Sequence, residues 1–304
     1  MKIAVLLMSS NVEPSCRNVE AFKDTVVRYC ETNVSSLNHE YRFFIYRYSD
    51  NDTMYVDSNY PTVTYIEYVG EESVYSTFEK TYSAFGSVKD VYHPDLYVRV
   101  NISTHINIPL LDAVIDKLDY DSVYCNKINN FINPSSEYFG YVYPRGDFMI
   151  LSSKYVSMVL ENGDSLLGVN GFSSGVDHVD DCLIGVCLCK SDPYYYQKLK
   201  TLKYNFEPEP HICTERCDPY AIATRLKTVP RDLVSGYSWD DNVHRLHDVG
   251  KFYQIDEVVK SNQYDDVDIQ DVICESKYQI YRFDVGHVSL EVYENYLKMI
   301  KAGR

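Results

Sequence analysis

The sequence is poor in the features that mark several classes of protein. Its 304 residues include only 13 glycines and 11 prolines, too few for a disordered or fibrous chain. No apolar run approaches the roughly 20 residues of a membrane-spanning helix. The apolar start, Lys2–Met8, is too short for a signal peptide and lacks a cleavage site. Basic clusters are absent and the formal net charge is −15, which repels nucleic acid. We therefore expect a soluble, cytoplasmic protein that binds no nucleic acid.

The nine cysteines are an odd number and are scattered through apolar segments. This distribution favours reduced, buried thiols over a disulfide framework. One cluster combines His211, Cys213 and Cys217, with Cys187 and Cys189 upstream. Its Cys-x3-Cys spacing lacks a second well-spaced pair and is therefore a weak zinc signature.

The first 120 residues alternate between strand-like and helix-like segments. Apolar and β-branched runs predict strands, and apolar residues at helical spacing predict helices. The strands are Ile3–Met8, Tyr41–Tyr48, Thr62–Val69 and Asp95–Val100; the helices lie around residues 19–30, 74–88 and 110–118, with Pro109 in the first turn of the last. This order predicts an α/β fold built on a mixed, mostly parallel sheet flanked by helices.

Beyond residue 120 the pattern is less regular. The predicted strands are Ser122–Lys127, Gly140–Tyr143, Asp147–Leu151, Tyr204–Phe206 and Tyr220–Leu226, and the predicted helices are Lys154–Glu161, Asp232–Val249 and Ser289–Lys301. Ser153 is a predicted cap of the first of these helices, and Gly163 is predicted to end it. We expect one domain over residues 1–250, with residues 251–304 as an extension packed on it.

Two adjacent acids, Asp180 and Asp181, directly precede an apolar run at residues 183–188. They follow a glycine-rich segment at residues 163–175. If the run is a helix, its N-terminus favours the ionised carboxylates, and an ionised carboxylate can take a proton from a hydroxyl. The alternative is structural: Asp180 merely caps the helix and Asp181 faces water.

Further polar residues follow the predicted strand Asp95–Val100. In open α/β sheets, ligands bind at the carboxyl ends of the strands. Arg99, Asn101 and Ser103 lie at one such end, and residues 143–152 form a turn that leads into a buried strand. We expect these segments to meet near Asp180 and Asp181.

Four blocks in this order resemble the GT-A glycosyltransferases of the β-1,3-galactosyltransferase and fringe type, and the glycosyltransferase-like proteins of large viruses, phages and algae. The blocks are Lys80 and Thr81 in a helix, Asn101–Ser103 at the position of an acidic metal-binding triplet, a Tyr-Pro-x-Gly block that ends in Leu-Ser (residues 143–152), and an Asp-Asp block with Gly185 and Leu188. The likeness covers residues 1–250.

The resemblance implies a GT-A type fold and an enzyme that moves a sugar from a nucleotide-sugar, UDP-linked, to a hydroxyl of a glycan acceptor with inversion. It implies Asp180, with Asp181 beside it, as the catalytic base, and residues 163–175 as a lid that excludes water. For a viral chain, the cytoplasm is that of the host. The implied donor contacts are Ser9, Arg17, Lys80, Arg99, Asn101 and Ser103, and the implied substrate contacts are Tyr143, Arg145, Gly146, Asp147 and His178.

The triplet departs from the family pattern because Asn101, Ile102 and Ser103 carry no carboxylate. Mn²⁺ and Mg²⁺ prefer anionic oxygen ligands, so two alternatives stay open. Either diphosphate and water hold the metal with little help from protein ligands such as Ser103 or His244, or the cations Arg17, Lys80 and Arg99 replace it. A catalytically silent sugar or nucleotide binder, and a scaffold with the same fold, remain alternatives to the enzyme. The oligomeric state stays open.

Overall fold

The computed structural model describes residues 1–11, 15–70, 77–130, 141–167, 179–206, 218, 220–226, 246–264 and 267–274. The strands in these ranges are β1 (Lys2–Met8), β2 (Glu40–Ser49), β3 (Thr53–Val56), β4 (Val63–Val69), β5 (Leu96–Asn101), β6 (Thr104–Ile106), β7 (Val123–Cys125), β8 (Ile128–Asn130), β9 (Val142–Pro144), β10 (Phe148–Ser152), β11 (Leu199–Leu202), β12 (Tyr204–Phe206), β13 (Ala223–Arg225) and β14 (Ile273–Cys274). The helices are α1 (Ser15–Phe22), α2 (Arg28–Thr32), α3 (Thr77–Tyr92), α4 (Ile108–Val114), α5 (Ser153–Gly163), α6 (Val179–Ser191) and α7 (Leu246–Lys260), with a π-helical segment (Lys23–Val27) joining α1 to α2.

A nine-stranded sheet of order β14-β11-β7-β10-β5-β1-β2-β4-β3 forms the centre of the protein. Strands β1, β2, β4, β5, β7 and β11 run in one direction, and β3, β10 and β14 run in the other. The prediction of a mixed, mostly parallel sheet flanked by helices is confirmed. Strand β10 lies antiparallel between β5 and β7, which brings the turn before β10 to the carboxyl end of β5.

Two hydrophobic cores cover the two faces of this sheet. Alternate residues of a strand point to opposite faces. Ile3, Val5 and Leu7 of β1 accordingly pack in one core with α1, α4 and α7. Ala4 and Leu6 pack in the other core with α3, α5 and α6. The fold is therefore a three-layer α/β/α sandwich.

Most predicted strands and helices are present with small shifts at their ends, but β3, β6, β8, β11 and β14 were not predicted. These strands are two to four residues long, too short for a visible alternation of polar and apolar residues. Strand β6 belongs to a separate three-stranded sheet of order β12-β13-β6. Its register depends on partners more than 100 residues away in the chain, which local patterns do not encode.

The predicted cap of α5 was wrong, whereas α5 ends at Gly163 as predicted. Ser153 is the first helical residue, and its hydroxyl donates to the carbonyl oxygens of Pro94 and Asp95 rather than capping the helix. Gly163 does not stop the helix by a left-handed turn, since its φ is −74° and the chain continues into a 3₁₀ turn. A Cβ at Gly163 would lie 2.6 Å from the ring of Tyr82, so glycine allows α5 to approach α3.

Helix α7 also differs from its prediction. The helix predicted over Asp232–Val249 falls largely outside the described residues, and α7 continues to Lys260. Phe252 of α7 packs edge-on against Phe22, with ring centroids 6.3 Å apart. The domain boundary proposed at residue 250 lies inside α7 and stays a prediction, as does the helix Ser289–Lys301, which is outside the described residues. Where the structure describes the chain, none of the helices combines the length and the apolar character that crossing a bilayer requires.

Candidate active site

Helix α6 brings the acidic pair to the central strand β5. The apolar run after the acids is helical, as one reading of the sequence expected, and both acids lie in its first turn. Residues 180–189 are all buried, which fits a helix that is apolar on every side. At Gly185 an added Cβ would lie 2.3 Å from Cβ and 2.9 Å from Cα of Tyr143. This close contact between α6 and β9 fixes the position of the acids.

The carboxylate of Asp180 forms a buried ion pair with Arg99 of β5. Nη2 of Arg99 donates to Oδ2 of Asp180, and the Thr81 hydroxyl lies 3.4 Å from the same oxygen. Nε and Nη1 of Arg99 are buried and have no hydrogen-bond partner among the described residues. The contacts that described residues make with Asp180 therefore converge on one carboxylate oxygen. An arginine in the middle of a buried strand requires such a partner.

Asp181 has a different environment. Its Oδ2 accepts from the Gly146 amide at 2.9 Å, and its Oδ1 accepts from the Cys182 amide at 2.9 Å. Burial, followed by the charge of Asp180, raises the pKa of Asp181. The alternative reading of the acids is wrong for both residues, since Asp181 is buried rather than facing water and the side-chain contacts of Asp180 are with Arg99 and Thr81 rather than helix amides.

The raised pKa of Asp181 predicts a pH dependence of stability. A carboxyl with a raised folded-state pKa contributes stability below its ordinary pKa of 3.8, and this contribution is lost as pH rises through the folded-state value. The asparagine side chain of the Asp181→Asn variant is neutral at every pH, so the variant does not lose this stability as pH rises. Its free energy of unfolding relative to wild type should therefore rise from about pH 4 upward, by at most about 1.4 kcal/mol per pH unit.

Chemical denaturation at several pH values measures this difference. Asp192→Asn, at a half-buried acid just after α6 whose Oδ1 accepts from the Tyr194 amide, is the control and should follow the wild-type curve. Parallel curves for wild type and Asp181→Asn would contradict the prediction.

Lys80 and Ser9 meet at the carboxyl end of β1. Nζ of Lys80 donates to the carbonyl oxygen of Ser9 and lies 5.0 Å from the centroid of the Tyr48 ring. Lys80 is buried, whereas Arg17 is exposed on α1. Two predicted donor contacts, Ser9 and Lys80, are thus in direct contact.

Asn101 and Ser103 follow β5, where the family pattern places a metal triplet. The Ser103 hydroxyl is buried and has no partner in the part of the chain that the structure describes, and the Ser103 amide lies 3.5 Å from Oδ1 of Asn101. The nearby carboxylates of Asp180 and Asp181 already accept from Arg99 and from two amides. Within the described ranges no group of three or more His, Cys, Asp or Glu side chains is placed to hold a metal. These residues do not fit a protein-held divalent cation.

The predicted substrate-contact residues at 143–147 lie around the acids. Tyr143 is buried under α6, and burial raises its pKa. A Cβ at Gly146 would lie 2.9 Å from Nη1 of Arg99 and 3.2 Å from Cβ of Asp181, so Gly146 closes the gap between β5 and α6. Asp147 forms ion pairs with Arg145 and Arg225. The sequence analysis missed Arg225, although an arginine in an apolar strand signals a buried partner.

Several predicted residues lie outside the described residues. They are His178, His211, Cys213, Cys217, His244 and most of the predicted lid at residues 163–175. The roles predicted for these residues therefore stay predictions.

The fold is similar to solved glycosyltransferase structures, the class that the sequence motifs resemble. Galactosyltransferase LgtC, in complex with donor and acceptor sugar analogs, has a TM-score of 0.45 and 10% identity over 88% of this chain and 98% of that one. A glycosyltransferase involved in the glycosylation of the major capsid of PBCV-1 has a TM-score of 0.40 and 9% identity over 83% and 99%. GlyE of Streptococcus pneumoniae TIGR4 has a TM-score of 0.40 and 10% identity over 92% and 67%.

With TM-scores below 0.5, these likenesses carry no argument about substrate or reaction. No protein-family model matches the chain, and no curated protein matches it either.

Proposed function

We propose that the protein is a glycosyltransferase that moves a sugar from a nucleotide-sugar, UDP-linked, to a hydroxyl of a glycan acceptor with inversion. The observation that carries this proposal is the Arg99–Asp180 ion pair at the carboxyl ends of the parallel strands, where ligands of open α/β sheets bind. Lys80 and Ser9 lie at the end of the neighbouring strand β1.

Asp180 is the proposed base. Its carboxylate lies in the first turn of α6 and is paired with Arg99. Both described contacts reach Oδ2, so Oδ1 is the oxygen that takes the proton from the acceptor hydroxyl. The resulting alkoxide character strengthens attack on the anomeric carbon, and the nucleoside diphosphate leaves from the opposite side. Asp181 holds the Gly146 turn against α6 and positions Asp180.

Cations stabilise the charge that develops on the leaving diphosphate. Lys80 is buried beside Tyr48, in surroundings that strengthen its interaction with an anion. Arg99 contributes Nη1 and Nε, which are buried and form no hydrogen bond to the described residues. Because the described residues do not fit a protein-held metal, no step requires one.

Nucleoside diphosphate release from a panel of nucleotide-sugars, with and without Mn²⁺ and with chelator, tests the proposal. We expect slow hydrolysis of one donor, accelerated by an acceptor. We expect chelator to change this rate by less than about twofold, because cationic side chains replace a metal. Loss of the rate in chelator with recovery in Mn²⁺ would contradict the metal-independent account.

The runner-up is a catalytically silent nucleotide-sugar or glycan binder. The contacts of the two acids favour it, because Arg99 and two backbone amides already hold the Asp180 and Asp181 carboxylates. A silent binder would gain thermal stability from one nucleotide-sugar and release no nucleoside diphosphate, with or without an acceptor.

A further inference from the structure

A second charged cluster lies beside the acidic pair, around Asp147. Nη1 of Arg225 donates to Oδ1 of Asp147. Nε of Arg145 lies 2.9 Å from Oδ2, and Nδ2 of Asn126 lies 3.4 Å from the same oxygen. The side chains of Arg225 and Asp147 are 7% and 8% exposed, whereas that of Arg145 is 27% exposed. Arg145 is therefore the solvent-facing member.

Among the described residues, the cluster has more positive than negative charge. Arg145 and Arg225 carry two positive charges, and Asp147 carries one negative charge. Lys127 lies close enough that burial and then the charge of Arg145 lower the pKa of Lys127 to about 8. The cations of this cluster repel one another, and a bound anion would relieve that repulsion.

Hydrogen bonds connect the cluster to the active site. The Asn101 amide donates to the Asp147 carbonyl oxygen at 3.1 Å, and the Thr104 hydroxyl donates to the same oxygen at 3.3 Å. Gly146, between Arg145 and Asp147 in the chain, donates to Asp181. The backbone on either side of the Arg145–Asp147 ion pair is thus held against Asn101 and Asp181.

We propose that Arg145 and Arg225, with Lys127 beside them, bind an anionic group of the substrate, a phosphate or a carboxylate. Guanidinium groups recognise both groups through paired, charge-assisted hydrogen bonds. The phosphate would belong to the donor and the carboxylate to an acidic sugar of the acceptor. Assigning the anion to a sugar-transfer substrate rests on the proposed function, whereas anion binding itself does not.

Calorimetric titration at low salt with inorganic pyrophosphate and with glucuronate tests this site. We expect wild type to bind at least one of the two probes, and Arg145→Gln to bind it at least about tenfold more weakly, because a hydrogen bond to a charged group is lost. Arg42→Gln is the matched control: its arginine lies on β2 beside Ala4, towards the opposite end of β1 from Ser9, and it should bind like wild type. If Arg145→Gln binds pyrophosphate more weakly than wild type does, the site belongs to the donor. If it binds glucuronate more weakly, the site belongs to an acidic acceptor.

Binding of neither probe by wild type, or equal binding by wild type and Arg145→Gln, would overturn the proposal. Arg145→Gln leaves the Arg225–Asp147 pair in place, so its melting temperature should stay close to that of wild type. Lys127→Gln is a second variant that leaves both arginines intact, and it should weaken binding of the same probe by a smaller factor.

If Arg145→Gln weakens binding while no nucleotide-sugar is turned over, the anion site stands and the proposed function fails. If a nucleotide-sugar is turned over while Arg145→Gln binds both probes like wild type, the proposed function stands and the anion site fails.

Discussion

Asp180→Asn is expected to lower turnover of the nucleotide-sugar by about 10²- to 10⁴-fold, the usual contribution of a general base. The amide cannot accept the proton of the acceptor hydroxyl. It also leaves Arg99 buried without a charged partner, which costs about 3–5 kcal/mol of stability. Steady-state release of nucleoside diphosphate with saturating acceptor measures the first effect, and thermal unfolding measures the second.

Asp180→Glu separates these two effects. Glutamate keeps the charge opposite Arg99, so the melting temperature should stay near that of wild type. The carboxylate is displaced by one methylene, and a misplacement of this size is expected to lower turnover by about 10²-fold. Asp192→Asn, at the other end of α6, should turn over like wild type. Near-normal turnover by folded Asp180→Asn would remove Asp180 from the role of base.

Gly185→Ala is expected to destabilise the protein by about 3 kcal/mol or more. The new methyl group would lie 2.3 Å from Cβ and 2.9 Å from Cα of Tyr143, and 2.9 Å from the carbonyl oxygen of Val142. Two of these atoms belong to the backbone of β9 and cannot rotate away. Helix α6 must therefore move, and Asp180 and Asp181 move with it, so residual folded protein should also lose activity.

Gly250→Ala is the matched control for the helical glycine. Gly250 lies in α7, is exposed, and has no atom within 4 Å of an added Cβ. Alanine at position 250 is expected to raise the free energy of unfolding by about 0.5–1 kcal/mol, because it has a higher helix propensity than glycine. Thermal or chemical unfolding of the two variants against wild type gives the comparison. A Gly185→Ala variant as stable as Gly250→Ala would contradict the tight contact between α6 and β9.

The layered architecture could be predicted from sequence because its elements carry local signals. Strand β1 is a continuous apolar run, and α3 and α4 have apolar residues at helical spacing. The short edge strands β3 and β14 could not be predicted, because two to four residues show no period. Their position depends on pairing with neighbouring strands.

The site was predicted in its residue types but not in its pairings. Asp180 and Arg99 were both candidates, but in different roles, because 81 residues separate them in the chain and their contact depends on how α6 crosses β5. The roles proposed for Asp180 and Asp181 likewise depend on the Gly146 amide, which donates to Asp181. Arg225 reaches Asp147 only through the pairing of β13 with β6.

Hydrogen exchange with and without saturating UDP is the most direct test of the location of the substrate site. We expect UDP to slow exchange in peptides that cover residues 8–11, 101–107 and 143–147, which lie at the carboxyl ends of β1 and β5 and around the acids. Peptides that cover β3 and β4 at the sheet edge should be unchanged. Protection confined to that edge, or elsewhere away from Asp180 and Arg99, would contradict a substrate site at the ends of the parallel strands.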